Sequence, residues 1–473
     1  MMDGKASYRP STAHRLLGEG FYDPVVAARF PAHLLRYRNQ RWAEHVGLGS
    51  LSDEQWITHF GRFEPLPENH PEPLALRYHG HQFQTYNPEL GDGRGFLFAQ
   101  LQDDRSRLLD LATKGSGTTP YSRMGDGRLT LKGGVREVLA TAMLEAQGVE
   151  TSKSFSLIET GEALQRHDEP SPTRGSVLVR LSHSHIRIGT FQRFLAENDA
   201  LRIGRLVDHA VAHYLPEARR ADPAEQAGAF LEAVVRRVAR MGAQWTAAGF
   251  VHGVLNTDNI NITGESFDYG PYRFLPTYQP KFTAAYFDEW GLYAFSRQPG
   301  TLKWNLERLA ECLLLVSTIE PLEQALAVFE PSFFEVLRGA LLRRLGLKRR
   351  SLQEDDAFVS ALFSFLLTSQ ASFEQAFFDL AGGASRFGRL AGSPAAEHYA
   401  GEAFEKLRSI LEIYELSSEI AFDQPYFAAL SPCSLLYDEI EALWKPIAEA
   451  DDWSCFESKL KDIEAMRLAY RAG

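Results

Sequence analysis

A chain of 473 residues, 44% of them hydrophobic, is long enough for more than one ordinary domain and a substantial core. Its 50 Lys and Arg against 61 Asp and Glu leave a formal charge of -11, which argues against nucleic acid or anionic lipid, partners held mainly by counterion release. Cys312, Cys433 and Cys455 form neither a zinc pattern nor a disulfide framework; with no apolar leader over residues 1–20 and no bilayer-length apolar run, a cytoplasmic chain without a membrane partner is expected.

Up to about His79, short amphipathic stretches alternate with turns at Pro65, Pro67, Pro71 and Pro73, so residues 1–78 are expected to form an arm packed on the core. Gly91-Asp92-Gly93-Arg94-Gly95 then precedes the apolar run 96–99. Its glycines let a backbone approach an anion closely, although alone the string reads as a tight hairpin. A strand pattern over 108–112 delivers Lys114, where an ammonium could reach phosphate oxygens. Val135, Val138, Leu139, Ala142 and Ala146 recur at helical spacing, with Gly148 suited to a left-handed cap. Glu137 lies off that stripe between Gly133, Gly134, Ala140 and Thr141, so another element can approach its carboxylate; it either positions Lys114 or is simply solvated. Further strands are predicted over 155–158 and 177–181. Arg180 and Arg187 occupy consecutive strand-like pieces, each pointing away from its apolar neighbours, and both could converge on one polyphosphate.

From Ala200 the pattern turns helical through Phe230, Val234, Val238 and Trp245. Two polar loops follow, His252-Gly253-Val254-Leu255-Asn256-Thr257-Asp258-Asn259 and Asp268-Tyr269-Gly270. Asn259 and Asp268 offer hard oxygen ligands suited to Mg²⁺ or Mn²⁺. Asp258 is the candidate general base, with a turn cap as its competing role. The stretches 310–345, 357–380 and 399–414 are helical in period and read as a C-terminal extension.

A glycine loop, a strand lysine, a helix glutamate, a His-to-Asn loop and an Asp-x-Gly resemble the parts of a protein kinase in kinase order, except that Val254 stands at the position of the kinase base. The expected fold is therefore α+β, a two-lobed protein-kinase-like fold. Residues 1–78 form the arm, 79–195 the nucleotide-binding N-lobe, 196–306 the C-lobe with the catalytic and metal loops, and 307–473 the helical extension.

Longer strings narrow the resemblance. Gly80-His81-Gln82-Phe83, Leu90-Gly91-Asp92-Gly93-Arg94, the run 114–123, Asp126-Gly127-Arg128, Ser184-His185-Ile186-Arg187, the run 252–259 and Asp268-Tyr269-Gly270-Pro271 resemble the selenoprotein O (SelO/YdiU) family of kinase-fold protein adenylyltransferases. That resemblance implies AMP transfer from ATP to Ser, Thr or Tyr hydroxyls of protein substrates, with ATP flipped relative to a kinase; separately, a monomer is expected. The resemblance places Gly91, Gly93, Arg94, Lys114, Asp126, Gly127, Arg180, Arg187 and Asp268 around the nucleotide and has Glu137 orient Lys114. Asn259 and Asp268 would hold Mg²⁺ or Mn²⁺, and Asp258 would accept the proton. Conventional γ-phosphoryl transfer and a non-catalytic nucleotide-binding module are the alternatives. The chain departs from the family where a Cys-Asn-His-Ser-Asp string is common, having Ala284-Ala285-Tyr286-Phe287-Asp288, and it lacks a cysteine at its very end, so thiol control is not expected.

Overall fold

The computed structural model describes residues 6–167 and 169–471; the extreme ends of the predicted arm and of the predicted extension lie outside the described residues. A nine-stranded antiparallel sheet dominates the first part of the chain. Its main strands are β1 (Tyr22–Pro24), β2 (Leu34–Arg38), β3 (Leu74–Leu76), β4 (Leu97–Gln102), β5 (Leu108–Lys114), β6 (Lys153–Leu164) and β7 (Thr173–Ser182), in spatial order β1-β3-β4-β5-β7-β6-β2. The two remaining short strands are Pro10–Ser11, beside β4, and Leu129–Thr130, beside β7. Three of the named strands precede His79, so this segment, expected as an arm on the core, is woven into the sheet at both edges.

The sheet is covered on both faces, which is why every residue of β5 is buried. Side chains alternate across a strand. Leu109 and Leu111 therefore enter one core with Trp56, Phe60, Phe98, Phe155, Val177 and Val179, while Leu108, Leu157 and Leu178 enter the other. Helix α1 (Leu131–Ala146) lies on this second face, its Val135, Val138 and Leu139 fully buried. The Thr130 side chain caps it by accepting the Gly133 N–H at 3.1 Å. Gly148, just beyond its end, has φ +80°, the left-handed conformation predicted for the cap.

Below the sheet, α2 (Ile188–Ala196) and the 26-residue α3 (Pro223–Ala248) carry the core onward. Asp222 caps α3 through the N–H groups of Ala224 and Glu225, Pro223 occupies its first position, and Gly249 ends it in the left-handed region. Beyond α3 a small ladder pairs Phe250 with Phe274 and Val251 with Arg273. The two polar loops hang between these strands, so one ladder fixes the roots of both. From Gln298 onward the chain is mostly helical, with one long connection over 412–436 that holds only the 3-10 turn Pro425–Ala428. The last helices return to the sheet layer: Glu441 pairs with Lys132 of α1 at 2.7 Å, and Tyr437 lies under the Arg273 guanidinium at 3.9 Å.

Candidate active site

The β5–β7 register sets Lys114 opposite Leu178 and Arg180 opposite Ala112. Opposed residues share a face and positions two apart repeat it, so Lys114 and Arg180 both point to the α1 side. There the Lys114 ammonium forms a buried ion pair with Glu137, the pair anticipated from the unobstructed face around that glutamate. The same ammonium lies 2.5 Å from Asp268 Oδ1, and Arg180 Nη1 reaches that oxygen at 3.3 Å. Asp268 has φ +65°, rare for a residue with a Cβ and characteristic of strain held at functional sites. His252 steadies the loop through a 2.8 Å contact between its Nε2 and the Phe267 carbonyl. Burial alone would raise the Asp268 pKa, but Lys114, Arg180, Arg94 and Arg187 outweigh it and hold this carboxyl well below the usual range.

Arg187 reaches the site differently from its predicted course. It is the residue that starts α2, with φ -107° and ψ 161°, and only Arg180 stands on a regular strand. Its buried guanidinium is a junction. Nη1 donates to Tyr78 Oη at 3.0 Å and to the Asp258 carbonyl at 3.3 Å, and Nη2 to Asp92 Oδ1 at 3.1 Å. Asp92 Oδ2 in turn accepts the Leu76 N–H at 3.0 Å. The Gly-Asp-Gly string thus contributes a carboxylate anchor as well as a flexible backbone. Its first glycine is required on space, since a Cβ on Gly91 would stand 2.3 Å from the Tyr121 ring.

Asp258 lies in the short 3-10 turn Thr257–Asn259. The turn is pinned where Thr257 Oγ1 accepts the His81 N–H at 2.7 Å and donates to Gln192 at 2.6 Å. Asp258 Oδ1 is buried without a hydrogen-bond partner among the described residues. Burial raises its pKa to about 6, with Arg187 opposing and the charge on Asp268 assisting. A carboxylate so placed can take up a proton near neutral pH.

These groups surround a cavity of about 430 Å³, within the range of small-molecule sites. Gly91, Gly93, Arg94, Lys114, Asp126, Gly127, Arg180, Arg187, Asp258 and Asp268 all line it. Glu137 stands behind Lys114. Asn259 is not part of the lining; its Nδ2 donates to the Val254 carbonyl at 3.0 Å beside Asp258. Asp126 at the rim is held by Arg166 at 2.8 Å, and Gly127 has φ +67°, where a Cβ would meet the Gly117 carbonyl at 2.2 Å. Tyr78, Asp92, Arg123 and Arg166 are lining residues that the sequence reading passed over. Asp92 and Arg123 lay inside recognised strings, whereas Tyr78 and Arg166 carry no local signal.

Comparison with known proteins decides the relationship. The model of the family described as "Protein adenylyltransferase SelO" matches residues 5–464. The chain belongs to the SelO family. Relatives described as "Protein nucleotidyltransferase YdiU" agree. One from Trichormus variabilis is 43% identical over 478 residues, covering 97% of this chain and 96% of its own length. One from Synechocystis sp. is 43% identical over 481 residues, covering 97% and 98%. One from Vibrio vulnificus is 38% identical over 349 residues, covering 72% and 69%. As a SelO-family member the chain is a nucleotidyltransferase enzyme, and the family's adenylyl transfer implies ATP as its substrate. No helix among the described residues is long and apolar enough to cross a membrane.

The donors beside the cavity suit a hard divalent cation. Among the described residues no group of three or more His, Cys, Asp or Glu forms a metal cage. Mg²⁺ needs none, since it commonly binds through one or two carboxylates and completes its shell with water and substrate phosphates. Asp268 and the amide oxygen of Asn259, the residue next to Asp258, are oxygen donors of that kind.

Proposed function

We propose that this enzyme transfers AMP from ATP to Ser, Thr or Tyr hydroxyls of protein substrates, with the nucleotide seated so that its α-phosphate faces Asp258. One observation carries this reading: Lys114 and Arg180 both meet the carboxylate of Asp268, and Arg94 and Arg187 line the same cavity, a cation density beyond what presenting a γ-phosphate requires. Such a cluster suits a buried pyrophosphate tail, which is the leaving group in AMP transfer. A two-lobed kinase-like arrangement fits the same parts, with the Lys114–Glu137 pair in the sheet layer and the 252–270 loops beneath it.

In this mechanism Asp258 takes the proton of the substrate hydroxyl as its oxygen attacks the α-phosphorus. The new O–P bond forms while the bond from the α-phosphorus to the bridging oxygen breaks. Pyrophosphate leaves with that electron pair, its charge met by Arg94, Arg180 and Arg187. Glu137 keeps Lys114 directed at the phosphates, and Arg187 fixes the Asp258 backbone through its carbonyl. Mg²⁺ or Mn²⁺, held by Asn259 and Asp268, would supply further neutralisation of the polyphosphate.

ATP labelled at either the α or the γ position tests the proposal. Label entering protein from the α position, and lost in Asp268→Ala, supports AMP transfer. Label entering only from the γ position would establish conventional kinase chemistry, and ATP binding without either would establish a non-catalytic module.

A further inference from the structure

A second cleft of about 960 Å³ shares no lining residue with the nucleotide cavity. The turn between β4 and β5 borders it, about 20 Å along β5 from Lys114 at the usual rise per residue. One wall is α3, whose Glu232, Arg236, Arg237, Arg240 and Gln244 fall at helical spacing on one face. Among the described residues, nine Lys and Arg side chains against six Asp and Glu line this cleft, in a chain whose net charge is -11.

An ordinary solvated helix face accounts for the paired charges. Arg240 meets Glu150 at 2.5 Å, Arg237 meets Glu217 at 2.8 Å and Arg236 meets Glu232 at 2.7 Å. It does not account for the remainder. Arg105, Arg220 and Arg343 line the same cleft and have no carboxylate partner within ion-pair distance among the described residues. Arg343 is half-buried, and its side chain makes no hydrogen bond there. Its guanidinium lies so close over Gly148 that a Cβ at that position would stand 1.6 Å from Nη1. Burial lowers its pKa, and the opposing charge of Glu419, which lies beyond ion-pair distance, does not offset it. Lys153 and Arg41 share one carboxylate, Glu145, at the same wall.

We propose that this cleft binds a compact polyphosphate anion, either free or carried by a nucleotide. Guanidinium groups arriving from separate elements match several phosphate oxygens at once, a geometry that a single carboxylate or sulfate would leave mostly unused. The placement also links the cleft to the reaction. Helix α1 carries Glu137 at Lys114 and, about 12 Å further along, Glu145 at the cleft. An anion that draws Lys153 or Arg41 away from Glu145 therefore acts on the helix that positions the active-site lysine.

Calorimetric titration of the full chain with sodium tripolyphosphate, in about 150 mM salt to suppress diffuse attraction, tests this. Two sites per chain are expected. Arg105→Glu/Arg220→Glu, changing two exposed side chains, should remove or weaken one of them by at least ~10-fold, corresponding to ~1.4 kcal/mol. Arg94→Ala/Arg180→Ala should remove the other. Replacing tripolyphosphate with ATP identifies the source: two ATP sites mean that the cleft takes nucleotides, and one means that it takes free polyphosphate. A single tripolyphosphate site that Arg105→Glu/Arg220→Glu leaves unchanged, or two that both persist unchanged in that variant, overturns the proposal. Loss of the nucleotide-cavity site alone would leave the Arg105- and Arg220-dependent site in place, so this outcome is separate from that of the labelling experiment.

Discussion

Lys114 and Asp268 meet at 2.5 Å, and the carboxylate oxygen that joins them also receives Arg180 at 3.3 Å. Asp268 is thus the counter-ion of a site otherwise rich in positive charge. Asp268→Ala should abolish α-label transfer because it removes a carboxylate suited to metal and phosphate positioning. In EDTA the same variant should bind ATP more tightly than the parent, by about tenfold, since the lost charge no longer competes with the polyphosphate. Fluorescence titration with and without EDTA measures both effects, and weaker binding in EDTA would show that Asp268 is not acting as an electrostatic plug.

In the proposed mechanism Asp258 gives the reaction its pH dependence. Its pKa, raised to about 6 chiefly by burial, means that the base is ionised at pH 7 and mostly protonated at pH 5. Transfer should therefore fall about tenfold per pH unit below 6 and level off above 7. Asp258→Asn should bind ATP normally, lose about 10²- to 10⁴-fold in kcat and lose the acid limb of the profile. Retention of that limb would assign it to another group.

The Arg187 junction predicts a stability effect as well as a catalytic one. A lysine at 187 cannot span Tyr78, the Asp258 carbonyl and Asp92, so Arg187→Lys leaves Asp92 buried and poorly paired. Denaturant unfolding should show a loss of about 3 kcal/mol for Arg187→Lys and a comparable loss for Asp92→Asn. The double variant should cost less than the two combined, because the second change removes a charge already stranded. Additive losses would mean that the two side chains are energetically independent.

How much of this could be read from the chain depended on whether a residue's role was local. Lys114 is legible because the run Leu109-Asp110-Leu111 before it has a strand-like alternation, and Glu137 because small neighbours flank its face of α1. Arg187 reads as a strand residue because Ile186 and Ile188 mimic period-two alternation. In fact both are core residues on either side of a helix start, where Gly189 packs against the His79 carbonyl, a contact 110 residues away in sequence. The strands before His79 are hard to read because β1 and β3 are only three residues long, β1 contains Pro24, and β1 and β2 form the two edges of the sheet, so they show neither the length nor the alternation of a long interior strand. The cationic cleft is less legible still. Arg41, Arg105, Arg220 and Arg343 are unremarkable singly and gain meaning only when the fold brings them together.

Histidines packed around Asp110 predict a loss of stability in mild acid. Asp110 accepts Gln100 Nε2 at 2.7 Å and the His185 N–H at 2.9 Å, while His14, His70 and His209 are buried nearby. Neither ring nitrogen of His14 or His70 has a hydrogen-bond partner among the described residues, nor does Nε2 of His209. Burial lowers the pKa to about 4 for His14 and His70 and to about 3 for His209. The unfolded chain protonates its histidines near pH 6.5, whereas the native state refuses those protons until about pH 4. Their contribution is therefore complete above about pH 6.5 and is lost as the pH falls toward 4. At pH 5 each costs about 2 kcal/mol, so three together approach the whole stability of a typical domain. Thermal melting should accordingly weaken steeply between pH 7 and pH 5. His14→Leu/His209→Leu, which cannot titrate, should flatten that slope by about 4 kcal/mol whatever its stability at pH 7. An unchanged slope would place the acid sensitivity elsewhere, with the carboxylates that must give up their ion pairs.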